Sequence, residues 1–248
     1  MFSVAMNNFD INIDMGEGFG VETQLMPLIQ SCNIACGGHA GNESTISELI
    51  SLARTHGVKI GAHPSYPDRE NFGRVSMKIS KYDLSQSLEK QLRYFIHLLG
   101  KADDLHHVKP HGALYNDCAE NADLAMTFIE VLLKCCPNAI LFTIADSILE
   151  RLAREKGIKV WQEAFLDRGY TKDGKLQARE KKGAILSDIK AVYEQFDTLL
   201  HKAKVRTVDH QWIPMEADTY CLHGDHPQVV KNLQELLKRY RLNYKNTL

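Results

Sequence analysis

Six segments of the chain end alike: a short apolar run, then a carboxylate, imidazole or cation, then glycine or proline. The first runs into Asp14 and Glu17, with Gly16 and Gly18 between and after them. The second runs into Gly37, Gly38, His39 and Gly41, and the third into His63, Pro64 and Asp68. Lys109, Pro110, His111 and Gly112 follow another run, and Glu163, Asp167 and Arg168 follow a fifth. The last gives His223, Gly224, Asp225 and His226. Carboxylates and imidazoles suit proton transfer, and Lys109 and Arg168 suit stabilisation of negative charge. Imidazole with carboxylate also suits a divalent metal, for which Asp14, His39 and His63 are the candidates. Any one of these residues alone reads as a helix cap or turn former. Six run ends doing the same thing do not, because caps alone would use Ser, Thr and Asn as often as His.

Other chemistries lack their signatures. There is no GxSxG elbow, no HExxH and no Walker-type GxxxxGK[ST], and GEGFG (Gly16 to Gly20) is not the dinucleotide fingerprint GxGxxG. The six cysteines lack the spacing of a disulfide framework, and Cys32 and Cys36 have no second pair to complete a zinc site. With 30 basic and 31 acidic residues the net charge is -1, which gives no reason to expect a nucleic acid partner. The basic run from Arg179 to Lys182 is interrupted by Glu180 and reads as a solvated face. Met1 to Asn8 does not read as a secretion signal, and no apolar stretch reaches membrane-spanning length. A cytoplasmic protein is the expectation.

The polar ends must be carried by something, and the intervening pattern says what. Strand-like runs are expected at Phe9–Asp14, Ser31–Cys36, Val58–Ala62, His107–Pro110, Ala139–Ile144, Ile158–Ala164 and Thr219–His223. Helical patterns are expected at Ser44–His56, Asp83–Gly100, Ala119–Cys136, Asp146–Lys156, Gly183–Lys202 and Pro227–Tyr240. In the second helix, Leu84, Leu88, Leu92, Phe95 and Leu99 recur at steps of three and four. Alternating strands and helices with no linker predict one α/β domain over residues 1–248 with a parallel sheet. A closed or nearly closed barrel and a doubly wound open sheet both satisfy the periodicity. In either, the C-terminal strand ends share one face, so the polar residues converge there.

The blocks NIDMGEGFG (Asn12 to Gly20), SCNIACGGHAG (Ser31 to Gly41), IGAHPSYPD (Ile60 to Asp68), FGR (Phe72 to Arg74), VKPHGALYN (Val108 to Asn116), EAFLDRGY (Glu163 to Tyr170) and CLHGDHP (Cys221 to Pro227) are specific in content and order. By them the chain resembles the LamB/YcsF family. The resemblance implies a seven-stranded, distorted TIM-like β/α barrel related to the polysaccharide deacetylases. It implies ATP-dependent opening of 5-oxoproline to glutamate, with ATP and Mg2+ in a full complex containing separate B and C subunits. It carries over as site residues Asp14, Glu17, Asn33, His39, His63, Asp68, Arg74, Lys109, His111, Asn116, Glu163, Asp167, Arg168, Arg179, His223 and Asp225. The expectation gives Asp14, Glu17, His39, His63, Lys109, His111, Asp167 and Arg168 catalytic roles and the others substrate contacts. Self-association is left open.

The chain departs from the family pattern at Gly38, where phenylalanine is usual, at Asn42 for aspartate, at Asn71 for glycine, at Val75 for arginine and at Lys182 for proline. The loss of a positive charge at Val75 and of a negative one at Asn42 compensate if those groups pair; otherwise they point to a different substrate. A lactam is a poor electrophile, and phosphate placed on its oxygen would activate the carbon for water. Asp14 or Glu17 is then the expected base, His39 and His63 its acid–base partners, and Lys109 and Arg168 the anion holders. Two rivals use the same residues: a stand-alone metal-dependent amidohydrolase or deacetylase, and a non-catalytic binding subunit.

Overall fold

The sheet closes on itself. The computed structural model describes residues 9–225 and 228–245. Its seven parallel barrel strands are β1 (Ile11–Met15), β2 (Ser31–Ala35), β3 (Lys59–His63), β4 (His107–Val108), β5 (Ile140–Ile144), β6 (Val160–Phe165) and β9 (Thr219–Cys221), hydrogen-bonded in that order. Of the two readings that the periodicity allowed, the barrel is the one found. Closure is made by β9, which pairs with β6 on one side and with β1 on the other. Every barrel strand is buried almost throughout, which explains why several runs lack clean alternation.

The helices lie where their apolar stripes predict, with adjusted ends. After the short α1 (Glu22–Leu25), α2 (Glu43–His56) buries Ile46, Leu49, Ile50 and Ala53. Its cap is Asn42, whose side chain accepts from the Thr45 amide, so the helix starts one residue before the expected Ser44. Helix α3 (Lys81–Leu99) is capped by Ser80. Helix α4 (Gly112–Glu120) was not foreseen, and the helix expected at Ala119–Cys136 is α5 (Ala122–Cys135), capped by the Asn121 side chain. Helix α6 (Ile148–Glu155) follows Ser147. Helix α7 (Ile189–Lys202) starts later than expected because Gly183 to Asp188 form a loop, and Asp188 is the cap. Helix α8 spans Val229–Lys245. The expected start at Pro227, the residue His226 and the segment Met1 to Asn8 lie outside the described residues. A two-stranded antiparallel sheet, β7 (Lys204–Arg206) with β8 (Trp212–Pro214), was not foreseen. Among the described residues no helix is long and apolar enough to cross a membrane.

The barrel interior is polar along much of its axis. Asn12 of β1 donates to Thr219 of β9 at 2.8 Å, and Asn33 of β2 donates to Asn12 at 2.7 Å. His107 of β4 meets the Asn33 carbonyl oxygen at 2.7 Å. The imidazole fits inside only because β3 has Gly61 opposite: a Cβ there would collide with the His107 ring. At the N-terminal end Asp10 holds Ser31, Lys59 and Thr219. Each of these buried donors thus has its acceptor, which such an interior requires.

Candidate active site

Strand direction brings the polar ends together at the C-terminal mouth, as the topology requires. A cavity of about 300 Å³ there is lined by Asp14, Glu17, His63, Arg74, Lys109, His111, Asn116, Arg168, Arg179 and His223 among others. Ten of the sixteen residues expected in the site therefore share one pocket.

Asp14 closes the floor. Its Oδ1 accepts from Lys109 Nζ at 3.1 Å and Asn33 Nδ2 at 2.8 Å, and its Oδ2 lies 3.4 Å from His63 Nε2. Burial alone would raise its pKa, but His63 and Lys109 beside it outweigh this and hold the carboxyl well below its ordinary value. Glu17 stands next to it. Its Oε1 is 3.0 Å from His39 Nε2 and 3.2 Å from His111 Nδ1. Against the cost of burial, these two contacts keep Glu17 far below the usual carboxylate range.

The imidazoles are fixed from behind. His63 Nδ1 lies 2.8 Å from the Lys109 carbonyl, and His111 Nε2 lies 3.0 Å from the Phe72 carbonyl. Phe72 itself has φ 56°, a left-handed conformation unfavourable for a bulky residue, and its ring packs edge-on against both His39 and His111. Gly73 follows with φ 62° and lets the loop pass close to His39 and His111. His39 stacks on His111 with ring centres 3.6 Å apart. Burial pushes the His39 imidazole down to about 4 and lowers that of His111.

Lys109 is 2% exposed, so it is no surface lysine. Its ammonium sits 2.9 Å from Glu163 and 3.1 Å from Asp14. Burial alone would lower its pKa, but these carboxylates outweigh it and hold the value well above the ordinary one. Its charge is committed to those two groups. Arg168 is committed too, to the Ala184 and Gln177 carbonyls at 3.0 and 2.7 Å, which anchor the loop carrying Arg179. Lys109 and Arg168, expected to hold an anion, thus already have partners, while the same pocket is lined by Arg74 and Arg179. These two cations share Asp225 at 2.8 and 3.5 Å on the pocket rim.

The other expected residues stand one layer back. Asn33 supports Asp14 from below, Glu163 supports Lys109, and His39 supports Glu17 while lining an adjoining cavity of about 760 Å³. Asp167 accepts from the His223 backbone amide at 3.0 Å and contacts its Nδ1 at 2.9 Å. Asp68 organises the turn before Phe72 by accepting from Asn71. Asn12, His107, Tyr115 and Phe165 were not foreseen. Asn12 and Asp14 are two apart on one strand and face the same interior, which was the available signal. Tyr115 lies beside Glu163, inside the block already noted, and burial and that carboxylate raise its pKa well above the ordinary value.

Two of the five departures, Gly38 and Asn42, have local accounts. Space beside Gly38 is filled by Gln91 and Ser65, which bond each other through Ser65 N and Gln91 Oε1 at 3.0 Å. Asn42 caps α2, a task aspartate performs equally. Val75 is 53% exposed.

The groups able to hold a cation are not the trio first expected. Ligand atoms of Asp14, Glu17, His63 and His111 lie within 4.8 Å of one another; His39 is not among them and contacts Glu17 instead. A second group, Asp14 with Cys221 and His223, is weaker. Burial keeps Cys221 a thiol, and Lys109 Nζ already lies 3.1 Å from its sulfur.

Comparison with known proteins bears on this geometry. The LamB/YcsF family model matches residues 9–246. The chain belongs to the LamB/YcsF family. Within that family it is 38% identical over 235 residues to the 5-oxoprolinase A subunit of Pyrococcus furiosus, covering 90% of this chain and 89% of the relative. It is 35% identical to the 5-oxoprolinase A subunit of Haemophilus influenzae, covering 96% and 98%. The crystal structure of a lactam utilization protein from Thermus thermophilus superposes with a TM-score of 0.85 at 32% identity, over 94% of this chain and 97% of that one. The LamB/YcsF barrel of this chain is thus shared over nearly its full length.

Proposed function

We propose that the chain is the A subunit of a three-part 5-oxoprolinase, opening 5-oxoproline to L-glutamate with ATP and Mg2+ in concert with B and C subunits. The observation that carries this is 38% identity, over 90% of the chain, to a protein named as the A subunit of 5-oxoprolinase. The pocket is of the right scale for a small substrate.

In this reading the lactam oxygen receives the terminal phosphoryl group of ATP, leaving ADP. Water adds to the activated ring carbon, and its proton passes into the set formed by Asp14, Glu17, His63 and His111. The ring nitrogen leaves with the C–N bonding pair and takes up a proton. A second water then releases phosphate from the acyl phosphate, giving glutamate. Arg74 and Arg179 hold the substrate carboxylate or phosphate at the rim, where charge-assisted bonds orient it. Lys109 keeps Asp14 ionised, and His39 and the Phe72 carbonyl fix the geometry around Glu17 and His111.

The convergence of two carboxylates and two imidazoles favours one second reading, a stand-alone metal-dependent amidohydrolase. The same experiment separates the two. Purified chain with 5-oxoproline, ATP and Mg2+ is expected to make no glutamate alone, and to make it with ADP once B and C subunits are added. Glutamate from the chain alone without ATP would establish the second reading, and ligand binding with no turnover in the full mixture would reduce the chain to a binding subunit.

A further inference from the structure

Crowded carboxylates do not by themselves make a metal site. The direction of the imidazole protons decides the matter here. A backbone carbonyl only accepts, so the Lys109 and Phe72 carbonyls fix the N–H of His63 on Nδ1 and that of His111 on Nε2. In the neutral rings the inward atoms, His63 Nε2 and His111 Nδ1, are therefore bare lone pairs. They face each other at 3.0 Å. Glu17 Oε1 lies 3.2 Å from the second, and Asp14 Oδ2 lies 3.4 Å from the first. Lys109 and Asn33 both bind Asp14 through Oδ1, which leaves Oδ2 turned to this point. Four acceptors thus meet with no donor among them. A proton on one ring would satisfy one contact and leave the rest opposed, whereas a divalent cation satisfies all four.

We infer that Asp14, Glu17, His63 and His111 bind a single divalent transition-metal cation of the zinc type. Two imidazole nitrogens and two carboxylate oxygens suit zinc or cobalt better than magnesium or calcium, which prefer oxygen alone. Imidazoles held by backbone carbonyls through their outer nitrogens are the usual support of such ligands. The site deepens the proposed function, since a bound cation of this kind makes water a stronger acid. It is tested without reference to turnover.

Chain stripped with a chelator is titrated with Zn2+ by calorimetry, and with Co2+ by visible absorption. The expected result is one Zn2+ per chain and a Co2+ spectrum distinct from that of the hydrated ion. His63→Ala and His111→Ala are expected to weaken Zn2+ by ~100-fold or more, since even loss of a supporting group costs 10–100-fold. Arg179→Ala, on the rim, is expected to bind Zn2+ as the parent does. Thermal unfolding with and without Zn2+ checks folding, and if an alanine variant fails to fold, the isosteric Glu17→Gln supplies the same reading. Absence of saturable Zn2+ binding, or binding unchanged in the ligand variants, overturns the site. Zinc bound by a chain that makes no glutamate with its partner subunits would support the site and overturn the lactam reading. Glutamate made by a chain that binds no zinc would do the reverse.

Discussion

The inner and outer sides of the barrel mouth use charged residues to different ends. On the inner side, Asp14, Glu17, His63 and His111 are buried or nearly so, and backbone carbonyls set the proton positions of the two imidazoles. On the outer side, Arg74 after β3, Arg179 after β6 and Asp225 after β9 are partly open, with side-chain exposures of 39%, 30% and 26%. They hang on loops, one of them tied down by Arg168. A rigid, buried cluster suits proton transfer and a part-exposed ion pair suits capture of an anion. On the proposed function, an incoming carboxylate or phosphate takes the place of Asp225 between the two arginines. A strand end followed by glycine therefore does not say what a residue does; its burial and partners do.

Substitutions at four positions break or sharpen this contrast. The largest effect is expected from Lys109→Met, which leaves Asp14 and Glu163 buried without their cation. A loss of about 3–5 kcal/mol in urea unfolding at neutral pH is expected, with loss of turnover. The sign with pH is determined. The depressed pKa of Asp14 makes its contribution full above about 4 and lost as pH falls through the folded value, while the raised pKa of Lys109 makes its contribution full up to about 10. The deficit of the variant is therefore flat near neutrality and shrinks in acid, where Asp14 protonates. A deficit that grows in acid would contradict the pairing.

Next comes Glu17→Gln. Because the amide oxygen still accepts from His39, folding is expected to persist, while glutamate formation with the partner subunits falls by about 10²–10⁴-fold. Near-normal turnover would remove Glu17 from the chemistry. Arg179→Ala tests the other side: KM for 5-oxoproline is expected to rise by roughly 10–100-fold, the worth of one charge-assisted bond, with kcat nearly unchanged. If kcat falls instead, the division between the two sides is wrong. The smallest effect belongs to Asn42, outside both sides. Asn42→Ala is expected to cost about 1 kcal/mol in thermal unfolding through loss of the α2 cap, and Asn42→Asp to leave stability within a few tenths of a kcal/mol. A change of substrate preference in Asn42→Asp would show that this departure from the family is more than a cap exchange.

Much of this was legible in the sequence because local patterns carry it. Asp14, His63, Lys109 and His223 each follow an apolar run, and parallel topology alone places them at one mouth. What was not legible depended on contacts across the chain. The burial of Lys109 follows from Glu163, 54 positions later in the numbering, and nothing near VKPHG announces it. His107 looked like an ordinary strand residue, and only the gap left by Gly61 on the neighbouring strand shows that it lies inside the barrel. Strand β4 stops at Val108, short of the expected Pro110, since Pro110 has no N–H to continue the ladder. The hairpin of β7 and β8 was not legible, being too short to show a period.

Strand β9 has a consequence for how the molecule is made. It is three residues long, yet it supplies both the last seam of the barrel and the approach to His223. Its link to β1 includes the bond between Asn12 and Thr219, 207 positions apart. During synthesis the first strand must therefore wait, one edge unpaired, until nearly the whole chain has left the ribosome. Loop-closure entropy makes such distant pairing slow. The pocket and the barrel are completed in the same event, so a chain halted before β9 has neither.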